Sequence, residues 1–448
     1  MSHPLRSRQE HPSRSKKHYS PLDTLSAASL HIICGLLLLL QPSASAEEGQ
    51  YMGVATCASS NCHGAAAPRK STNVLQNEFS TWHKYGKHSK AWTVLLKDDA
   101  QKIGTHLGIE KPEEDPLCLK CHATYLPDET KRGAKFTYED GVTCESCHGA
   151  AGGWITSHTK SGITHQENIQ NGLRNLSDLT VRTKLCLSCH YGTDDKTVNH
   201  RLIGAGHPRL TFELDTFSMI QPRHWEVDND YEERKGEYIP AKAWLIGQTL
   251  LASERLKALT STVRSKNGIW PELSLFTCES CHHSLKEDRW KVRDFGDRAG
   301  ELRLNLSSFV LLTSVLRELD ADSASTIDAL LETLHEKYKT GEAREHIDHL
   351  QRLLQNKVLP IVKELTYSDE LLKHLFTELV QFATRPHFQY EEAEQILMGL
   401  SSLVATSAAL ERHYEDSLEE LYTALQDDEA YDADAFTKAA SKLYRELL

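Results

Sequence analysis

The sequence lacks three features, and each absence excludes a class of protein. Positive charge is not in excess, since 51 Lys and Arg face 63 Asp and Glu and give a net charge of −12. This balance argues against nucleic acid and anionic lipid as binding partners. After residue 46, no apolar run approaches the roughly 20 residues of a membrane span. Cysteine is absent after Cys281, so we expect the last third of the chain to carry no thiol-attached cofactor.

The cysteines that are present follow one pattern, in which a pair of cysteines is followed directly by a histidine. Four pairs have two residues between the cysteines, and one pair has four. The first to fifth motifs, in chain order, are Cys57/Cys62/His63, Cys118/Cys121/His122, Cys144/Cys147/His148, Cys186/Cys189/His190 and Cys278/Cys281/His282. Of the 11 cysteines, only Cys34 lies outside the motifs, in a segment that we expect to be removed. No thiol is therefore left for a disulfide framework.

The spacing C-x-x-C-H is the attachment signature of c-type haem. The two thiols reach two vinyl groups on one edge of a porphyrin, and the next residue brings an imidazole to the iron. A lone C-x-x-C could equally be half of a zinc site or a thiol redox motif, but four copies that all end in histidine favour haem. The wider first motif could instead be a disulfide or a free pair. We predict five covalently attached haem c groups, one at each motif.

The N-terminus has the features of a secretory signal peptide. Five Lys and Arg precede an apolar run over residues 27–40, and Ala44-Ser45-Ala46 is a small-residue cleavage site. We predict a signal peptide over residues 1–46 and a periplasmic mature protein, with an uncleaved membrane anchor as the alternative. Export agrees with the motifs, because c-type haem is attached outside the cytoplasmic membrane.

The mature chain divides by composition into two predicted domains. Residues 47–300 hold all five motifs and show little regular periodicity, except for a helical pattern over 239–266. Residues 301–448 show successive amphipathic helices, predicted at 303–319, 323–340, 343–366, 369–384, 389–412, 414–427 and 434–447. Ser368 and Asp434 are the expected helix starts. The sequence therefore predicts a mainly α protein: a multihaem cytochrome c domain with little regular structure around stacked haems, followed by a haem-free helical bundle. The bundle is expected to give structural support or oligomerisation, with partner docking as the alternative.

Histidines outside the motifs supply candidates for the second axial ligand of each iron. Imidazole on both faces suits an iron to electron transfer, whereas an open face permits substrate binding. Nine such histidines lie between residues 47 and 300: His83, His88, His106, His158, His165, His200, His207, His224 and His283. Of these, His207 is favoured, because the segment Gly204–Leu210 is a compact turn of the kind that presents a distal ligand. The candidates are numerous enough for all five irons.

Residues 50–290 resemble the cytochrome c-554 family, within the wider group of multihaem nitrite reductases and hydroxylamine oxidoreductases. The resemblance is carried by WHKYGKHSKA at residues 82–91, by DGVTCESCHGAAGG at 140–153 and by the following His158. It implies that His88 ligates the haem of His148 and that His158 ligates the haem of His190; His207 would serve one of the others. The family has four haems and not five, and no C-x-x-C-K motif of its enzymatic relatives is present here.

These observations predict an electron carrier that exchanges electrons with other redox proteins. The alternative is an oxidoreductase in which one five-coordinate haem acts on a small nitrogen or sulfur compound such as nitrite, hydroxylamine or a sulfur oxyanion. His83 or His165 would then be candidate proton donors. The sequence assigns no catalytic residue.

Overall fold

The structure is a computed structural model that describes residues 49–70, 74–264, 272–282, 302–386, 388–428 and 430–448. The predicted signal peptide and His283 lie outside the described residues. Within these ranges, none of the helices combines the length and apolar character needed to cross a membrane. Regular β structure in the same ranges is limited to isolated bridges such as the one between Tyr51 and Arg132. The prediction of a mainly α protein is confirmed.

Short helices connected by turns make up the chain before residue 240. They are α1 (Glu78–Tyr85), α2 (Asp98–Leu107), α3 (Pro116–His122), α4 (Cys144–His148), α5 (His165–Gln170), α6 (Leu179–His190), α7 (His200–Gly204), α8 (Leu214–Ile220) and α9 (Asn229–Lys235). Several start at a side chain that accepts a hydrogen bond from the first turn, as Asp115 does for α3 and Asp178 for α6. These helices are too brief for the periodicity that would have identified them in the sequence.

Helix α10 (Pro240–Thr260) is the centre of the apolar core. Its first turn contains a proline. A backbone N–H at this position would have no intrahelical acceptor, so proline removes no hydrogen bond from the helix. Almost every side chain from Ala241 to Leu259 is buried, as expected for a helix that is apolar on all sides. It packs against α6 and α8 on one side and against the C-terminal helices on the other. The helix predicted over 239–266 is thus present but ends six residues earlier, at Thr260.

The C-terminal part of the chain is a series of longer helices. They are α11 (Ser307–Leu319), α12 (Ala321–Thr340), α13 (Arg344–Leu353), α14 (Leu359–Glu364), α15 (Asp369–Ala383), α16 (Tyr390–Thr406), α17 (Ala408–Thr423) and α18 (Ala433–Leu447), and a π-helical turn over Leu354–Val358 joins α13 to α14. Ser368 caps α15 as predicted, by accepting from Leu371 N.

Two helices in this part start at a residue other than the predicted one because a different polar side chain caps them. The sixth helix starts after Ser407 rather than at residue 414, because the Ser407 side chain accepts from Leu410 N and also donates to Asp369 Oδ1 at 2.7 Å. The last helix is capped by Asp432 and not by Asp434. In both places a polar side chain captures the first backbone N–H groups of the helix and so sets where it begins.

One apolar cluster extends from Leu187 on α6 through α10 to Leu443 on α18. Trp244 is fully buried in it, and its indole lies against Gly399 on α16, where an added Cβ would come within 2.5 Å of the ring. Residues Gly49–Leu448 form one compact unit. A domain boundary near residue 300 remains a prediction.

Candidate metal-ligand site

Three of the five motifs occupy the last turn of a helix, and the motif histidine is the final helical residue. Helices α3, α4 and α6 end at His122, His148 and His190 respectively. Positions three and four residues apart lie on the same helix face. The helical turn therefore directs two thiols and one imidazole to the same side of the backbone, which is the arrangement that attachment and ligation of one cofactor require.

The wider first motif forms a closed loop rather than a helical turn. His63 N donates to Cys57 O at 3.2 Å and Cys62 N donates to Ser59 O at 2.8 Å, so the four intervening residues bulge outward. Gly64 is required beneath the loop, because a Cβ there would lie 1.9 Å from Ala58 O. The loop brings its two cysteines and its histidine together despite the extra residues.

Each motif histidine faces one histidine from outside the motifs. The distances between ring centroids are nearly identical in all five pairs, although the angles between the ring planes range from 12° to 87°. The pairs are His63 with His158 (6.3 Å), His122 with His207 (6.3 Å), His148 with His224 (6.3 Å), His190 with His88 (6.2 Å) and His282 with His200 (6.2 Å). Direct stacking would not hold one separation over such different angles.

The separation fits two imidazoles that share one metal ion. An imidazole nitrogen bonds a first-row metal at about 2.0–2.1 Å, and the ring centre lies about 1.1 Å further out, so opposed ligands have centroids about 6.2–6.4 Å apart. The observed 6.2–6.3 Å agrees with this value. Two cysteines stand beside one histidine of every pair. The residues present therefore fit an iron porphyrin with a histidine on each face.

Two pairings implied by the family resemblance are wrong in this structure. His88 lies against His190 and not His148, and His158 lies against His63 and not His190. The resemblance associated each histidine with a motif by its order along the chain. The fold instead brings the loop before α2 to the end of α6, and the loop after α4 back to the first motif.

Sequence reasoning ranked two of the histidine partners too low. His224 and His200 were among the nine candidates but were not singled out, yet they face His148 and His282. His207, which was not assigned to a particular motif, faces His122. Apart from the number of spare histidines, no local signal marks His224, because its position depends on how residues 221–225 pack over the third motif.

The remaining described histidines from the list of candidates have other contacts. His106 Nδ1 donates to Ala205 O at 3.0 Å, and His165 Nε2 lies 3.3 Å from Asn175 Oδ1. His83 is exposed and stacks on Phe79 with a centroid separation of 5.5 Å. None of these three takes part in one of the five pairs.

Burial keeps several of the paired histidines in the neutral form that a metal needs. It lowers the pKa of both His148 and His190 to about 4. Burial also lowers the pKa of His88, His207 and His224. The His190 ring additionally packs against Phe212 and Phe217, at centroid distances of 5.7 and 4.9 Å, which connects this pair to the apolar core.

Contacts between cysteines show which motifs are neighbours. The Cys57 and Cys144 thiols lie close enough to interact, and this interaction lowers the pKa of Cys57 and raises that of Cys144. The Cys121 thiol interacts with Cys189 in the same way and, together with Lys196 Nζ at 3.3 Å, lowers the pKa of Cys189 to about 5. Burial, and after it the proximity of Cys147, raises the pKa of Cys186. The first motif thus adjoins the third, the third adjoins the fourth, and the fourth adjoins the second.

The outward ring nitrogens of the paired histidines are held by hydrogen bonds. His122 Nδ1 donates to Ala91 O at 2.9 Å, His158 Nδ1 to Ile155 O at 2.6 Å and His207 Nδ1 to Pro208 O at 2.7 Å. Such bonds fix which nitrogen is free to bind the metal and orient the ring. His63 Nδ1 instead donates to a carboxylate, Glu78 Oε2, at 2.9 Å, and this bond raises the pKa of His63.

Residues 56–149 match the family model of cytochrome c554 and c-prime. This segment holds the first three motifs, and the resemblance to the cytochrome c-554 family is confirmed there. A domain of this family binds haem c covalently, transfers electrons and has other redox proteins as partners. No curated protein and no solved structure matches the chain.

Proposed function

We propose that this chain is a pentahaem c-type cytochrome that carries electrons between redox proteins. The observation that supports this best is that all five motif histidines face a second histidine at 6.2–6.3 Å. The ten motif cysteines would attach five haem c groups, and the ten paired histidines would bind the irons from both sides. Haem iron held by two imidazoles exchanges one electron and leaves no coordination position for a substrate.

The contacts between motifs support a single route through the protein. The cysteine contacts give the order first, third, fourth and second motif. The fifth motif follows the second, because α7 has His200 at its start and His207 three residues after its end. The route therefore does not follow the order of the motifs in the sequence.

The two ends of this route are the most accessible motifs. Cys62 of the first motif and both Cys278 and Cys281 of the fifth motif are exposed, whereas the cysteines of the second, third and fourth motifs are partly buried. An electron carrier needs one accessible site for a donor protein and one for an acceptor protein. The exposure of the two terminal motifs meets this requirement.

The oxidoreductase alternative is not favoured by a specific observation. It needs one iron with an open face, yet every motif histidine has an opposed imidazole. Candidate proton donors His83 and His165 both lie outside the pairs, and His165 is bound to Asn175.

We also propose a location and a domain division for this function. The basic leader, apolar run and Ala-Ser-Ala site support export to the periplasm, where haem c is attached. The absence of cysteine after Cys281 supports a haem-free helical domain from about residue 301. Relationship to the wider group of multihaem nitrite reductases and hydroxylamine oxidoreductases is part of this proposal.

Haem content and spin state test the proposed function. The purified holoprotein should contain five haems per chain by mass and by pyridine haemochrome assay. Its ferric EPR spectrum should be entirely low-spin and unchanged by cyanide or nitrite. A stable high-spin signal, or fewer than five haems, would contradict the proposal.

A substitution at His224 tests the pairing directly. Replacing His224 with Ala removes the imidazole opposite His148, so one haem in five should become high-spin and bind cyanide. The matched control is His83→Ala, which changes an exposed histidine outside the pairs and should leave every haem low-spin. Equal spectra for the two variants would refute the assignment of His224.

A further inference from the structure

The first histidine pair differs from the others in the group to which its motif histidine donates a hydrogen bond. The motif histidine of the second pair, His122, donates to a backbone carbonyl, and so do the partner histidines His158 and His207. His63 donates to the carboxylate of Glu78 at 2.9 Å. Within the described ranges, no other ring in the five pairs donates to a carboxylate. A carboxylate differs from a carbonyl in carrying a full negative charge.

The local backbone is built to hold Glu78 in this position. Phe79 N donates to His63 O at 2.9 Å, and Ala65 N donates to Gln76 O at 2.8 Å, so the start of α1 is fastened to the end of the first motif. The second carboxylate oxygen, Oε1, accepts from Gln76 N at 3.0 Å. With both oxygens engaged, the Glu78 side chain is only 17% exposed.

Gln76 adopts a strained conformation that supports this arrangement. Its φ is 57°, and no other non-glycine residue in the described part of the chain has a positive φ. A residue with a Cβ is disfavoured in this region. Strain of this kind persists where the surroundings impose it, often at functional sites. Here the strained residue donates the hydrogen bond that orients the Glu78 carboxylate.

A carboxylate on the outer nitrogen changes what the imidazole does at the metal. Hydrogen bonds to an ionised acceptor are roughly twice as strong as neutral ones, and they draw the Nδ1 proton away from the ring. The opposite nitrogen then becomes a stronger donor, as in the carboxylate–histidine–metal arrangements of other proteins. Stronger donation and nearby negative charge both favour the more highly charged, oxidised state of a metal.

We propose that Glu78 is a positioning residue that gives the site of His63 the lowest reduction potential of the five. This inference rests on the proposed function. Because the first motif is one accessible end of the route, the lowest potential would lie at an end and not in the middle. A one-electron donor protein that docks there would be oxidised by one electron, and onward transfer toward the fifth motif would be energetically downhill.

The experiment compares reduction potentials of intact holoprotein variants by optical redox titration and EPR. Glu78→Gln keeps the size of the side chain and one acceptor oxygen but removes the charge. We expect the lowest of the five reduction steps to move to a more positive potential and one low-spin EPR signal to shift. The control Glu129→Gln removes the same charge from an exposed site, where the side chain is 82% exposed, and should change neither.

Two outcomes would overturn the inference while leaving the proposed function intact. One is a Glu78→Gln protein with five low-spin haems and the same lowest step as Glu129→Gln. The other comes from a second variant, Cys57→Ser with Cys62→Ser, which removes attachment at the first motif and remains informative if Glu78→Gln loses that haem. This variant should lack the lowest reduction step; loss of any other step refutes the assignment. A wild-type protein with fewer than five haems would instead contradict the proposed function.

Discussion

The part of the chain before residue 240 and the helices that follow it are stabilised in different ways. Before residue 240, the separate apolar cluster consists of Leu95, Leu119 and Ala123, and the four motifs in this part are joined mainly by turns and local hydrogen bonds. From α10 onward, one apolar cluster runs without a break to α18. A chain segment with so few buried apolar side chains cannot offset the conformational entropy lost on folding.

The difference agrees with the proposed haems, which would fill the interior of the part before residue 240. Four of the five motifs lie before residue 240, and four of the histidine pairs are formed wholly within that part. A porphyrin is a large apolar body, and its burial would supply the hydrophobic stabilisation that the side chains do not. The helices after residue 240 need no such contribution, because their own side chains fill the core.

The largest expected effect comes from withholding haem. A chain of residues 47–448 produced in the cytoplasm would carry no attached haem. Hydrogen exchange should then show that the backbone amides of α15 and α16 are still protected. The amides of α3, α4 and α7 should exchange with opening free energies of about zero. In the holoprotein, both parts should be protected. Protection of α3 and α4 without haem would show that the comparison is mistaken.

Removing a large side chain from the helical core should have a smaller but still substantial effect. Phe376 on α15 is fully buried, and its replacement by Ala should lower the free energy of unfolding by about 3–5 kcal/mol. Tyr422 on α17 is 56% exposed, and Tyr422→Ala should change stability by less than about 0.5 kcal/mol. Denaturant titration followed by far-UV circular dichroism measures both.

The haem spectrum of the Phe376→Ala variant provides a second test. The low-spin haem spectrum of folded Phe376→Ala should equal that of the wild type, since the core around α15 contains none of the histidine pairs. A change in haem spin state in this variant would mean that the two parts are less independent than their interiors suggest.

Local features of the site could be predicted from the sequence, whereas its long-range pairings could not. The thiol spacing and the adjacent histidine act within one turn of backbone, so His122 or His190 is recognisable from five residues alone. The partner of His63 lies 95 positions away, at His158, and only the tertiary fold brings the two together. Order along the chain was therefore a poor guide to the pairing of His88 and His158.

The same distinction holds for the helices. Ser368 was recognised as a helix start because acidic residues follow it directly, as in many first turns. The break at Ser407 was missed because apolar residues continue across it, and it is stabilised by a bond to Asp369, 38 residues earlier. The short helices before residue 240 were missed because they lack a full period of apolar residues.

The smallest expected effect concerns the junction of the two parts. Glu213 caps the start of α8, and α8 packs against α10 and α16. The carboxylate is buried and accepts from Asp215 N at 2.8 Å and Thr216 N at 2.7 Å. Burial raises the pKa of Glu213 from 4.5 to about 7, although the backbone N–H groups oppose this shift. The unfolded chain ionises first as pH rises, so this group should reduce stability progressively between about pH 4.5 and 7.

Glu213→Gln should abolish that part of the pH dependence. The variant and the wild type should be equally stable at about pH 3, below both pKa values, where the wild-type carboxyl is protonated in both states. At pH 8 the variant should be more stable than the wild type by up to about 3 kcal/mol, which is the free energy that corresponds to the pKa shift of Glu213. Every other side chain is the same in the two proteins, so the difference between the two unfolding curves isolates Glu213. The control Glu233→Gln alters an exposed carboxylate on α9 and should give no pH-dependent difference. A constant difference between wild type and Glu213→Gln at both pH values would mean that the junction is held by the hydrogen bonds of the cap alone and that burial of its charge is immaterial.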